Sequence, residues 1–504
     1  MIKRYSVIFL LSLIFHVSFG NSSIYFNSNC KEIYNNTINL NFELAQQLIE
    51  RERALSNNSN FALDYLECFN LYIKILVSED KSTYSLFLQK RDAFLDNIEE
   101  NLIETDPYYN YYITDVYIQS SFLRFRFNEK IKAAYDVIKA NKYLTYNLSN
   151  HPNFIYNYKC KGIISFMTGL IPDEYKWVTN IISVNPDIDK GISYLYKFYE
   201  QTNNQDFTYL KTEALFLLSN MLAKTNKDFD PNIFKYFKLS IEKGETNPLL
   251  FYSYISYLKK YRKNEDILYL SNNLFFDKFA KKFPYLFYYI GVANMNQLDA
   301  KKSIFFFEKY LTYKLNNNYT KSTYQKIAWV YLLNNDTANY INSLNKIKRF
   351  NYISILEEDK NAEIYLYELS SKKYPNINLL KSRVLFDGGY YTQSLKNIAT
   401  RQVFESLKNN DEKIEYYYRQ AQNYRYLDKT DLAIEYFNLA TSNSNNSSNF
   451  VVANSYLSMG EIYYKQKLFN QAESNLKKCL KENPNQYKYS IHQKAKYYLK
   501  HLTD

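Results

Sequence analysis

The side chains with the strongest intrinsic chemistry are few. Four cysteines, Cys30, Cys68, Cys160 and Cys479, would supply nucleophiles, metal ligands or disulfides. Their spacing contains no C-x-x-C and fits no zinc pattern. The histidines His16, His151, His492 and His501 are isolated. No zinc site and no nucleophile–base–orienter triad follows from these residues. One stretch, Asp173-Glu174-Tyr175-Lys176-Trp177 between Pro172 and Pro186, sets acids beside aromatics, which permits a functional reading. The plainer reading is a proline-capped short helix anchored by Trp177, with the carboxylates stabilising its N-terminus. The expectation is therefore a non-enzymatic chain with no catalytic residues, no metal and no cofactor.

The composition sets what can hold such residues. The chain has 504 residues, room for two or three ordinary domains or one long solenoid. Only 9 Gly and 9 Pro occur, too few for a β-sandwich or a turn-rich α/β enzyme. The 55 tyrosines come with abundant Asn, Lys and Ile, a bias that speaks of codon usage before function. The net charge of +12 is dispersed, with no basic run of the kind that binds nucleic acid, so no nucleic-acid partner is expected.

Residues 1–20 have the form of a signal peptide. Lys3 and Arg4 make a positive start, Val7 to Phe15 an apolar core, and Ser18-Phe19-Gly20 a small-residue cleavage region. The apolar run is shorter than the roughly 20 residues a membrane span needs. Export through the secretory pathway follows, with the periplasm or cell envelope as destination and no transmembrane segment after cleavage. No cysteine follows the core closely enough for a lipoprotein. In an oxidising compartment Cys30 and Cys68 are candidates for a disulfide. N-x-S/T sequons occur at Asn21, Asn35, Asn57, Asn147, Asn318, Asn335, Asn445 and Asn446, and they matter only in a eukaryotic host.

Beyond the signal, apolar residues recur every three or four positions. Residues 21–150 read as N-terminal helical hairpins. Asp106-Pro107 starts one helix, and Ala133, Ala134 and Ala140 allow close contact in its return. Residues 151–203 form a Gly/Pro-interrupted module holding Gly162, Gly169 and Gly191. Residues 204–504 return to hairpins: 209–225 with 231–243, 248–261 with 264–279, pairs starting at 284 and 321, a helix at 360–372, and a pair joined at Gly388-Gly389.

The stretch Ala453 to Pro484 carries the clearest pattern. Tyr456, Met459, Gly460, Tyr463, Ala472, Leu476, Cys479 and Pro484 fall at positions 4, 7, 8, 11, 20, 24, 27 and 32 of a 34-residue unit. This resembles the tetratricopeptide repeat (TPR) family, and with the export signal it resembles exported bacterial TPR proteins. Similar matches start at 284, 321 and 414, so the clearest repeats span 284–317, 321–350, 414–445 and 453–486. Two departures stand out: Tyr340 where position 20 wants a small residue, and Gln420 where position 7 wants an apolar one. Residues 489–502 are left as a C-terminal capping helix. The resemblance implies an all-α protein, an α-solenoid whose stacked hairpins wind into a right-handed superhelix.

It also implies a site. In the family the first helix of each repeat lines the concave face through positions 2, 5, 6, 9 and 12. Carried over, these include Tyr288, Tyr289, Lys326, Trp329, Tyr418, Arg419, Gln422 and Arg425. Tyr288, Tyr289, Trp329, Tyr418, Arg419, Gln422 and Arg425 are the expected partner-binding residues, because large aromatics and Arg dominate interface energetics. The carboxylate clamp of some family members is not reproduced, since Leu457 and Glu461 occupy its place. The implied function is an exported scaffold binding a protein or peptide through a Tyr/Arg-rich concave face. The alternative is a carbohydrate-binding outer-membrane nutrient-uptake protein with a TPR core. A superhelical lytic enzyme is a third class, and no terminal domain with a suitable acid supports it.

Overall fold

The computed structural model describes residues 26–55, 60–101, 105–169, 187–225, 229–242, 247–272, 276–354, 356–444 and 449–502. The signal segment, the Asp173–Trp177 cluster and the sequons at Asn21, Asn57, Asn445 and Asn446 lie outside them. The described residues form 26 α-helices, two short 3-10 segments and no strand. The protein is an all-α solenoid of helical hairpins. Its contacts divide it into two units, Met1–Leu76 with Asp80–Tyr194, and Val77–Glu79 with Leu195–Asp504.

One local device builds most hairpins. In eight of them the first helix ends, three residues intervene, and the second begins; the middle residue has positive φ. These residues are Leu40, Asn128, Arg262, Leu298, Asn335, Gly389, Asp428 and Lys467. In each, the next residue's N–H returns to the carbonyl five positions back, as in Asp299 to Asn294 and Leu468 to Tyr463, both 2.9 Å. The middle N–H bonds three positions back, as in Lys467 to Tyr464 at 3.0 Å. This is the Schellman closure, which satisfies carbonyls a helix end would otherwise orphan. Only Gly389 is glycine; the left-handed region costs about 1–2 kcal/mol each at Leu40, Arg262, Leu298 and Lys467, and less at Asn128, Asn335 and Asp428.

In the first unit, Ser28–Ile38 pairs with Phe42–Leu55, and Pro107–Arg126 with Lys130–Asn150. The Asp106 carboxylate accepts from Tyr108 N at 2.7 Å and Pro107 occupies the first turn, so this helix starts as its sequence specifies. Ala133 and Ala140 are buried, and their carbonyls accept from Ser121 and Thr114 across the hairpin. Ile155–Gly169 meets Ile188–Gln201 through Gly162 and Gly191. A Cβ on Gly191 would lie 2.8 Å from Phe166 N and 3.0 Å from Gly162 O. The core of this unit is polar as well as aromatic. Lys159 Nζ lies 3.0 Å from Asp115, both buried, and Asp115 also accepts from Tyr65 OH at 2.8 Å. Arg124 pairs with the buried Asp136 at 2.9 Å. The Cys30–Cys68 disulfide is not made. All four cysteines are buried thiols, and burial raises Cys30 to about 11 and Cys479 to about 12. A thiol so shifted has little thiolate at neutral pH and is a poor nucleophile.

The second unit contains the pairs Tyr285–Asn296 with Ala300–Tyr313, Thr320–Leu333 with Thr337–Asn345, Ile377–Asp387 with Tyr391–Ile398, Asn410–Tyr426 with Thr430–Ser442, and Phe450–Lys465 with Phe469–Lys481. Close approach falls where small residues stand. A Cβ on Gly460 would meet the Leu476 side chain at 2.7 Å, and one on Gly291 the Phe307 ring at 2.6 Å. Tyr340 is fully buried in its small-residue position, facing Ala328 and Tyr374. Lys488–Lys500 caps the unit, burying Ile491, Ala495 and Tyr498 against Leu457, Leu476 and Cys479.

Two hairpins differ from expectation. Lys211–Ala223 packs mainly on Pro248–Lys260 instead of on Pro231–Glu242. Phe234 and Phe237 of the latter helix meet Tyr254 of Pro248–Lys260, at 5.8 and 5.0 Å between ring centroids. The partner of Pro248–Lys260 is two short helices, Asn264–Leu270 and Phe276–Lys282, and not one.

Candidate functional site

The first helices of successive repeats are joined by side-chain rungs with a fixed offset. Tyr288 OH meets Ser322 Oγ at 2.9 Å, position 5 to position 2 of the next repeat. Tyr418 OH accepts from Asn454 Nδ2, again 5 to 2. Gln422 Nε2 donates to Ser458 Oγ at 3.0 Å, 9 to 6. Arg425 pairs with Glu461 at 2.6 Å, 12 to 9. A step of three positions per repeat keeps donors opposite acceptors while the helices stack.

These rungs occupy most of the residues expected to face a partner. Tyr288, Tyr289, Trp329, Tyr418, Arg419 and Gln422 are at most 6 % exposed. Tyr289 OH reaches Tyr319 OH at 3.3 Å, and Arg419 is held by Glu415 at 2.8 Å. Arg425 is the one partly open side chain of the seven, 20 % exposed. Area buried within the chain is not offered to a ligand, so these side chains act first as inter-repeat contacts. The structure brings together Tyr418, Gln422 and Arg425 on one ladder and Tyr288 with Tyr289 on another. Trp329 stands apart, edge-on to Tyr365 at 5.3 Å.

What remains on this face is a set of cations mounted on rings. Lys326 Nζ lies 3.7 Å from the Trp329 ring centroid, and Arg383 Cζ lies 4.9 Å from it. Arg262, the positive-φ residue of its hairpin turn, sits between Phe386 at 4.4 Å and Tyr426 at 4.6 Å. Lys259 Nζ stands 5.0 Å above Tyr289. A cation over an aromatic face gains about 0.5–2 kcal/mol, less than a good carboxylate partner provides when buried. Among the described residues no carboxylate pairs with Lys326, Arg383, Arg262 or Lys259. Burial, then Arg383, push the Lys326 ammonium down to about 7. Burial acts to raise Tyr426, but Arg262 and Arg425 together draw it below its ordinary range. Positional transfer marks Lys326 and Trp329 in the sequence. It misses Arg383, Arg262 and Lys259, whose hairpins lack the signature residues. The Gly388-Gly389 turn was the available signal for the register of Arg383.

First helices joined by side-chain rungs, with cations mounted on rings beside them, define the class: a repeat solenoid. Residues 414–447 and 453–486 match the family model of the tetratricopeptide repeat, so the chain carries TPRs at its C-terminal end. No curated protein matches the chain. Solved structures align with it at low similarity. A human IFIT1 dimer with PPP-AAAA shares 11 % identity, over 85 % of this chain and 97 % of that one, at a TM-score of 0.36. The APC/C hetero-tetramer Cut9–Hcn1 shares 14 %, over 92 % and 87 %, at a TM-score of 0.24.

Proposed function

We propose that this chain is an exported, non-enzymatic TPR scaffold that binds a protein partner along the first-helix strip of its second unit. The observation that carries this reading is the ladder. It fixes successive helices so that Arg425, Asn454, Glu461 and Tyr464 lie half-buried along one side. Repeats held in register this way present a preorganised surface, which lowers the entropy cost of association. Of the seven residues singled out from the sequence, Arg425 contacts the partner. The other six serve binding by holding the strip in place. Export rests on Lys3, Arg4 and the apolar run to Phe15. No described helix is long and apolar enough to cross a membrane.

The test is a pull-down from the envelope fraction of the source cell with the full mature chain and with a Tyr464→Ala/Asn454→Ala variant. Circular dichroism and thermal melting confirm that both are folded. A stoichiometric protein recovered by the native chain and lost by the variant supports the scaffold. Retention of glycan with no protein partner overturns it in favour of carbohydrate binding.

A further inference from the structure

We propose that Lys326 and Arg383, set over the Trp329–Tyr365 ring pair, form a receptor for acidic side chains of a protein partner. The proposal rests on the scaffold reading above and names the chemistry it recognises. Its first support is a contrast within one face. At Arg419 and Arg425 the chain supplies the carboxylate itself, from Glu415 and Glu461. At Lys326 and Arg383 none of the described carboxylates stands within ion-pair distance, and Glu358, Asp387 and Glu415 act only from farther off. Lys326 makes no hydrogen bond or ion pair among the described residues, and Arg383 makes one hydrogen bond, from Nη1 to Tyr365 OH at 3.1 Å.

Both cations are half-buried, so a ligand can reach them while water solvates them poorly. Holding two like charges against one ring is costly without a counter-charge, and a carboxylate seated between them relieves that cost. Arg383 presents a planar fork suited to a carboxylate, and its bond to Tyr365 pre-orients it. The half-buried Tyr365 ring offers apolar contact for the hydrocarbon stem of Glu or Asp, while the buried Trp329 holds the cations in place. Glu358 and Asp387 act electrostatically on Lys326 and Asp387 also on Arg383. Their charge opposes a polyanionic phosphate backbone more than a single carboxylate, which favours an acidic peptide over nucleic acid.

The binding is pH-dependent. Lys326 sits among Arg383, Lys259, Glu358 and Asp387. A carboxylate ligand favours its charged form, so affinity falls as pH rises through neutrality, and Lys326→Arg removes the dependence.

The test uses the mature full-length chain carrying Trp177→Phe, which leaves Trp329 as the remaining indole. Its fluorescence is titrated with a ten-residue poly-glutamate peptide, a poly-glutamine peptide and a single-stranded oligonucleotide. The expected result is a saturable, salt-sensitive change with poly-glutamate alone. Lys326→Met/Arg383→Met weakens it at least tenfold, Lys326→Arg keeps it, and Glu358→Gln strengthens it. Equal poly-glutamate affinity in the double Met variant overturns the proposal, as does oligonucleotide binding that poly-glutamate fails to displace. Should the double Met variant still capture the envelope partner, the receptor falls and the scaffold stands. Failure to capture any protein fells the scaffold reading itself.

Discussion

A buried network in the first unit and a cluster of cations in the second treat charge in opposite ways. In the first, Lys159 and Asp115 lie within 3.0 Å of each other with almost no exposure, and Arg124 pairs with buried Asp136. Each charge has a counter-charge and neutral donors around it. In the second, Lys326, Arg383, Arg262 and Lys259 rest on aromatic rings without a carboxylate partner among the described residues. A closed network holds a core together. A cation resting on a ring is stabilised enough to persist and stays available to something else. The difference separates architecture from recognition without an appeal to which residues are polar.

The comparison is open to breakage at its strongest point. Lys159→Met is expected to cost about 3–5 kcal/mol, because it strands a buried carboxylate. Replacing both partners, Asp115→Leu with Lys159→Met, recovers most of that loss. Urea unfolding of the three variants measures both figures, and an equal loss in the single and double variants would remove the network from the core's support. In the second unit Glu461→Gln breaks a half-buried charged rung and is expected to cost about 1.5–3 kcal/mol. A thermal melt unchanged by Glu461→Gln would show that the ladder contributes little.

A smaller effect bears on the turns shared by both units. Asn128→Gly and Lys467→Gly relieve positive-φ strain at exposed positions and are each expected to stabilise by up to about 1 kcal/mol. Similar gains in the two units would confirm that the device is the same. A further effect concerns pH. The folded chain releases the Lys326 proton near 7, whereas the unfolded chain holds it into the ordinary lysine range. The unfolded state therefore binds more protons in between, and stability rises with pH across that window. Lys326→Met flattens the rise and leaves stability at pH 9 within about 1 kcal/mol. A urea midpoint series from pH 6 to 9 shows either outcome.

Much of the fold was legible because helix period and small-residue positions are local signals. Gly460 and Gly291 fall where two helices touch, and each is explained by the ring or branch a Cβ would strike. The pairing of residues 209–243 was not legible, since Phe234 and Phe237 satisfy a helical pattern that does not name the partner, and their rings meet Tyr254 of the following helix. Gly389 is the plainest turn signal, and Asn128, Asn335 and Asp428 are of types that enter the left-handed region readily. Leu40, Arg262, Leu298 and Lys467 give no such warning by type, because the closure is made by backbone hydrogen bonds. At the site, positional transfer found Lys326 and Trp329 but took Tyr288, Tyr418 and Gln422 as open. Their side chains are long enough to reach the next helix, and an index within one repeat carries no information about its neighbour. Arg383 lies in a hairpin without the signature, where no index applies.

The rungs between first helices impose a phase on the chain. An α-helix turns about 100° per residue, so one inserted residue between Tyr418 and Arg425 swings Arg425 away from Glu461 while leaving Tyr418 on Asn454. The fault is not confined to that repeat, because the next helix is aligned by the same contacts. Insertions within the first helices are therefore filtered severely, and length variation is pushed into the connections between hairpins. The intervals of 37 and 39 residues before the repeats starting at 321 and 453 fit that constraint, since both exceed the 34-residue unit while the rungs across them keep one offset.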